Sequence, residues 1–197
     1  MRHLSALYLG AVVFSLLAGC TTPASKFYIL SSVTTDTAVQ PALNAPAIGV
    51  GPVELPKYLD RPQIAVRSGA NELLYNETHR WAGTLQDNVT NVLAQNLELL
   101  VPTEKVSVFP WGRSTAIDYQ VVAEISRFDA ETSGSVVLSA NWKLYREESR
   151  EIIAQNKTIF TEPVGGAAYT EIVAAQSRAL AALSREIAAA IRAASSH

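Results

Sequence analysis

The chain has 197 residues, 48% of them hydrophobic, with 16 basic against 18 acidic side chains and a net charge of −2. That is one domain's length with enough apolar content for a packed core, and the slightly acidic balance excludes a basic surface for nucleic acid. With one cysteine, no intrachain disulfide can form, and packing must hold the fold.

Residues 1–19 have the parts of a secretory signal peptide. Arg2 and His3 precede an apolar run from Leu4 to Leu17, and the small residues Ala18 and Gly19 follow. The run is short of the ~20 apolar residues that a comfortable transmembrane helix needs. Leu17-Ala18-Gly19-Cys20 resembles the lipobox of bacterial lipoproteins, which implies cleavage before Cys20 and lipid attachment, palmitate included, at Cys20. The alternative is an ordinary signal peptide with a chance cysteine. Cleavage removes Arg2 and no acid, so the formal charge moves from −2 to −3.

Residues 20–26 are then a lipidated tether spanning at most about 20 Å, which keeps the domain close to its membrane. In bacterial lipoproteins an Asp after the cysteine retains the chain on the inner membrane. Thr21 stands there here, which predicts outer-membrane delivery facing the periplasm. Residues 27–197 make a single periplasmic domain.

Phe27-Tyr28-Ile29-Leu30 reads as a buried strand and residues 31–46 as a polar, Thr-rich loop. Residues 47–55 are a second strand, which Gly49, Gly51 and Pro52 mark as irregular or at an edge. Pro56 and Pro62 bracket one helical turn. Residues 63–67 alternate, Ser68-Gly69-Ala70-Asn71 turns, and Leu73 and Tyr75 alternate again, which predicts a hairpin.

Trp81 to Val101 predicts a helix, with a stripe of Trp81, Leu85, Val89, Val92, Leu93, Asn96, Leu97 and Leu100 that is apolar but for Asn96. Residues 106–109 are a short strand before Pro110-Trp111-Gly112. Three long strands follow, at 118–128, 135–145 and 152–161, joined by short polar turns into an antiparallel meander. Residues 167–194 are a last, alanine-rich helix with its stripe on Tyr169, Ile172, Val173, Gln176, Leu180, Leu183, Ile187 and Ile191. The pattern predicts an α/β fold of α+β kind: one mixed, largely antiparallel sheet with two long amphipathic helices packed on one face.

No residue set points to catalysis, a cofactor or a metal. Of three histidines, His3 leaves with the signal and His197 is terminal, leaving His79 as at best a surface pair with Glu77. Glu147-Glu148, Asp129 and Glu131 fall in predicted turns as solvated acids. Gly49-Val50-Gly51-Pro52 lacks the third glycine and the lysine of a phosphate loop.

Two stretches stand out. In the first, Tyr58, Leu59 and Arg61 are interface-anchor types held between Pro56 and Pro62. They either meet a partner or cover the sheet edge, with Arg61 paired to a local acid. The second is His79-Arg80-Trp81, where Trp81 reads as the first core residue of the helix.

These stretches carry a resemblance. Phe27-Tyr28-Ile29-Leu30, the run from Ile48 through Val53-Glu54-Leu55-Pro56-Lys57-Tyr58-Leu59-Asp60-Arg61-Pro62 to Ile64, and His79-Arg80-Trp81-Ala82 are similar to the ABC-type transport auxiliary lipoprotein family, of the PqiC type. Phe109-Pro110-Trp111, Asp118-Tyr119, Ala140-Asn141-Trp142 and Ala174-Ala175-Gln176-Ser177 add weaker matches in order. The resemblance implies an outer-membrane lipoprotein that works with an MCE-domain protein and inner-membrane components of an intermembrane lipid transport system, with no enzymatic motif. It leaves a homo-oligomer open. Two other classes compatible with the sequence are a lipid-binding carrier and a structural or regulatory lipoprotein of a cell-wall or secretion machine.

Overall fold

The computed structural model describes residues 23–34 and 44–195. The signal peptide, Cys20, Thr21, much of the loop before Pro46 and His197 lie outside the described residues. The elements in order are β1 (Lys26–Tyr28), β2 (Ile48–Glu54), a 3-10 turn (Lys57–Leu59), β3 (Gln63–Arg67), β4 (Leu73–Trp81), α1 (Leu85–Leu100), β5 (Val106–Val108), β6 (Tyr119–Glu131), β7 (Ser135–Arg146), β8 (Glu151–Pro163) and α2 (Tyr169–Ser195). All eight strands form one mixed sheet, as expected, and both helices pack against it.

β6 is the spine. One edge pairs antiparallel with β7, which pairs antiparallel with β8, giving the expected meander. The other edge is shared by two strands, both parallel to β6. β2 runs beside its first half, from Ile48↔Tyr119 to Glu54↔Glu124, and β3 beside its end, at Val66↔Ala130 and Arg67↔Glu131. From Glu54 to Val66 the chain advances twelve residues while β6 advances only six, from Glu124 to Ala130. The excess leaves the sheet as residues 55–62. Pro56 and Pro62 have no N–H to give to a ladder, which suits them to flank such an excursion.

β7 explains the core most simply. Val136, Leu138, Ala140, Trp142 and Leu144 are at most 4% exposed, while the alternate residues Val137 to Tyr145 are half-buried or exposed. A strand's period of two does this when one sheet face meets helices and the other meets water. α1 lies over β2 and β5, and α2 lies over β6, β7 and β8. Glu186 on α2 accepts hydrogen bonds from Trp142 Nε1 (2.9 Å), Asn156 Nδ2 (2.7 Å) and Thr158 Oγ1 (3.1 Å), which fixes α2 on the meander.

The helices also meet each other. Ala175, Ala179 and Ala188 are fully buried, and small side chains let the elements approach closely. Asn96, the polar break in the α1 stripe, is fully buried and satisfied. Its Nδ2 donates to Ser184 Oγ at 2.9 Å, and its Oδ1 accepts from the Val33 N–H at 2.7 Å. An apolar residue there would orphan that amide, which costs roughly 1–3 kcal/mol.

Several expectations need correction. Trp81 is buried, but it ends β4, and α1 begins four residues later. Gly83 takes φ +99°, a turn that breaks any helix, and Thr84 caps α1 by accepting the Asp87 N–H at 3.0 Å. The spacing from Trp81 to Leu85 matched a helical stripe by coincidence.

β2 is irregular, with a register shift between Val50 and Val53, but it is interior, parallel to both β5 and β6. Pro52 is tolerated because β5 has already ended beside Val50. Gly49 has a packing reason: a Cβ would lie 2.7 Å from the Trp111 ring.

β1 is an edge strand of three residues, paired parallel with β4 alone. Leu30 is buried, but Phe27 and Ile29 are 65% and 64% exposed.

Candidate functional site

The excursion at residues 55–62 fills the gap between β2 and β3. Leu59 is 5% exposed and joins the core. It is therefore not offered to a partner in this conformation. Tyr58 is half-buried and points elsewhere: its hydroxyl donates to Asp129 Oδ2 at 2.8 Å.

Asp129 is the centre of the arrangement. The turn expected there begins later, because β6 continues to Glu131. A bulge between Ile125 and Arg127 shifts the register, so that Ile125 and Phe128 both face the core. Alternation beyond it sends Arg127, Asp129 and Glu131 to the opposite face.

Asp129 is nonetheless fully buried, covered by its own partners. Arg67 of β3 donates from Nε to Oδ1 at 3.2 Å and from Nη2 to Oδ2 at 2.9 Å. Arg127 donates from Nε to Oδ1 at 3.0 Å and from Nη2 to Glu131 Oε1 at 2.6 Å. Ser133 and Ser135 hydroxyls, each at 3.0 Å, donate to the other oxygen of Glu131. A bidentate arginine is the strong form of such a pair.

The titration shifts follow from these contacts. Burial, reinforced by the hydrogen bond to the Asp129 carboxylate, pushes the Tyr58 phenol up to about 12. Hydrogen bonds from Arg127, Ser133 and Ser135 pull the Glu131 carboxyl below its ordinary value. Because the folded phenol holds its proton more tightly than the unfolded one, its stabilising contribution is intact below pH 10 and is lost as pH rises through about 12. Ultraviolet titration of the tyrosines is expected to show a late phase near pH 12 that disappears in Tyr58→Phe. A late phase unchanged by that substitution would remove the Tyr58–Asp129 bond from this account.

Arg61 is exposed, with its guanidinium 4.4 Å above the Tyr75 ring centroid rather than paired to an acid. Tyr75 in turn donates to the Tyr58 carbonyl at 3.1 Å. The turn is thus clamped from both sides, which leaves Lys57, Asp60 and Arg61 on its rim. With Gly83, Thr84 and Gln86, this rim lines an open hollow of about 220 Å³. A larger open hollow of about 630 Å³ lies over Arg67, Arg127 and Glu131, but both guanidinium groups are already committed to carboxylates.

His79 is not paired with Glu77, which accepts from Gln63 Nε2 instead. Its ring stacks on Tyr169 at 3.9 Å between centroids, and its Nδ1 lies 2.6 Å from the Tyr28 hydroxyl. It joins β1 and β4 to the start of α2. Among the described residues, no group of three or more His, Cys, Asp or Glu is placed to hold a metal ion.

The Asp129 cluster escaped sequence reading because its members lie on three separate segments. The signal that could have found it is Arg127, Asp129 and Glu131 at every second position, a charged face on one strand.

Comparison with known proteins agrees with this architecture. One crystal structure, of a protein described only as uncharacterized, superposes with a TM-score of 0.71 at 20% identity, over 86% of this chain and 99% of the other. The protein XCC0632 from Xanthomonas campestris, of family DUF330, superposes at 0.69 with 18% identity, over 88% of this chain and all of the other. At such identities the likeness speaks to the fold. No curated protein matches the sequence. The family model described as an ABC-type transport auxiliary lipoprotein component matches residues 28–188, nearly the whole described domain, and this chain belongs to that family.

Proposed function

We propose that this protein is the outer-membrane lipoprotein of an MCE-type intermembrane lipid transport system, and that it docks the trans-envelope machinery without transforming lipid. The observation that carries the reading is membership of a transport auxiliary lipoprotein family over residues 28–188. Such a component needs a stiff surface held near the membrane. The clamped turn of Tyr58 supplies stiffness, and a preorganised surface loses less entropy on binding.

Arg61 is the candidate contact, with Lys57 and Asp60 beside it on the rim, while Tyr58 is committed to Asp129 and stiffens the turn. Leu59 contributes by holding the turn from beneath. A lipid carrier would enclose an apolar chamber, whereas the main hollows among the described residues are open and lined by polar and apolar groups alike. No helix among the described residues is long and apolar enough to cross a membrane.

The test is affinity capture of the tagged full chain from crosslinked envelopes. Recovery of an MCE-domain protein is expected, weakened about tenfold or more by Arg61→Glu, which equals about 1.4 kcal/mol. Recovery of a cell-wall synthase or secretion component, with no MCE-domain protein, would overturn the reading.

A further inference from the structure

Phe27 in β1 and Ile29 just past its end leave two large apolar side chains in the open, at 65% and 64% exposure. Exposure alternates through this stretch: Phe27 and Ile29 are open, Tyr28 is half-buried and Leu30 is buried. A single exposed apolar residue needs no explanation, but an adjacent pair on a sheet edge does.

Their position along the chain supplies one. Phe27 is seven residues from Cys20, so a fully extended connection reaches at most about 25 Å. Among the described residues, no other large exposed apolar side chain is tied so closely to that cysteine. Lys26, also exposed, adds a positive charge where anionic headgroups would lie.

β1 is also firmly part of the domain. It is registered on β4 through Lys26↔His79, Phe27↔Arg80 and Tyr28↔Trp81. Beyond it the Ser31 N–H donates to Ser177 Oγ on α2 at 3.1 Å. Whatever Phe27 and Ile29 touch therefore orients the whole domain.

We infer that Phe27 and Ile29 form a membrane-contact site that seats the domain on the leaflet holding the Cys20 lipid. The inference rests on the lipid-anchor reading of Cys20. The contact lies at headgroup depth, because the free edge of β1 still needs water for its backbone groups. The seat fixes the tilt at which the domain faces a partner arriving from the periplasm.

The experiment uses the full lipidated chain in phosphatidylethanolamine vesicles with a minority of phosphatidylglycerol. Lipidation blocks the one native cysteine, so an introduced thiol can carry an environment-sensitive fluorophore. Phe27→Cys and Ile29→Cys report the proposed site. Ile159→Cys on β8, equally exposed at 64% and on the far edge of the sheet, is the control.

The probes at 27 and 29 are expected to brighten several-fold, shift to the blue and be quenched by spin-labelled lipid, while the probe at 159 stays water-like. Water-like emission at all three positions in a chain shown by mass spectrometry to be lipidated would overturn the contact alone. An unlipidated mature chain would overturn the anchor reading and the contact together. A blue shift at 27 and 29 without lipid quenching would mean that protein, such as a second copy, covers the edge, and would also overturn the proposal.

Discussion

Asp129→Ala is expected to cost about 3 kcal/mol of folding stability, the lower end of the range for removing one member of a buried ion pair. The lower end applies because Arg67 and Arg127 keep 21% and 27% of their side chains exposed and can recover some solvation. The variant loses the acceptor for the Tyr58 hydroxyl and for both guanidinium groups at once. For a domain of this size that corresponds to a melting temperature lower by roughly 6–12 °C. Urea unfolding should show a lower midpoint with an unchanged slope. Asp129→Asn keeps the shape and one acceptor, so it should fall between. A midpoint shift worth less than about 1 kcal/mol would mean that the arginines and Tyr58 find equivalent partners, and that Asp129 does not hold the turn.

With the proposed lipid anchor at Cys20, Cys20→Ser is expected to abolish palmitate labelling and to remove the mature protein from its membrane fraction, leaving it either in the periplasm or as uncleaved precursor. The size of the effect follows from the anchor. Each buried methylene contributes ~0.8 kcal/mol, and two or more acyl chains hold a protein stably where one does not. Phe27 and Ile29 can orient a tethered domain but cannot replace such an anchor. The folded part should be unaffected, because β1 begins at Lys26, six residues after Cys20. Cell fractionation with metabolic labelling decides the matter. A mature Cys20→Ser chain that stays with the membranes, or a wild-type chain that takes no palmitate, would remove Cys20 as the attachment site.

Local sequence determined the elements whose burial pattern is regular. β7 alternates without interruption, and the stripes on α1 and α2 mark the faces that are buried, because burial on one side imposes a period of two or 3.6 directly on the residues. The contour length from Cys20 to the first strand is likewise a property of the chain alone.

Tertiary structure decided the rest. The bulge near Ser126 exchanges the faces of β6, so Tyr119, Val121, Ala123 and Ile125 face the core before it and Phe128 and Ala130 after it. That shift turns Asp129 away from the core, toward Tyr58 and Arg67, which lie more than sixty residues earlier. Trp81 is buried either as a strand end or as a helix start, and the left-handed turn at Gly83 selects the first. Phe27 and Ile29 look like core residues until the sheet order puts β1 at an edge. The physical reason is common to all of these. Periodicity records how a segment is buried, while its neighbours are chosen by long-range pairing that leaves no local period to read.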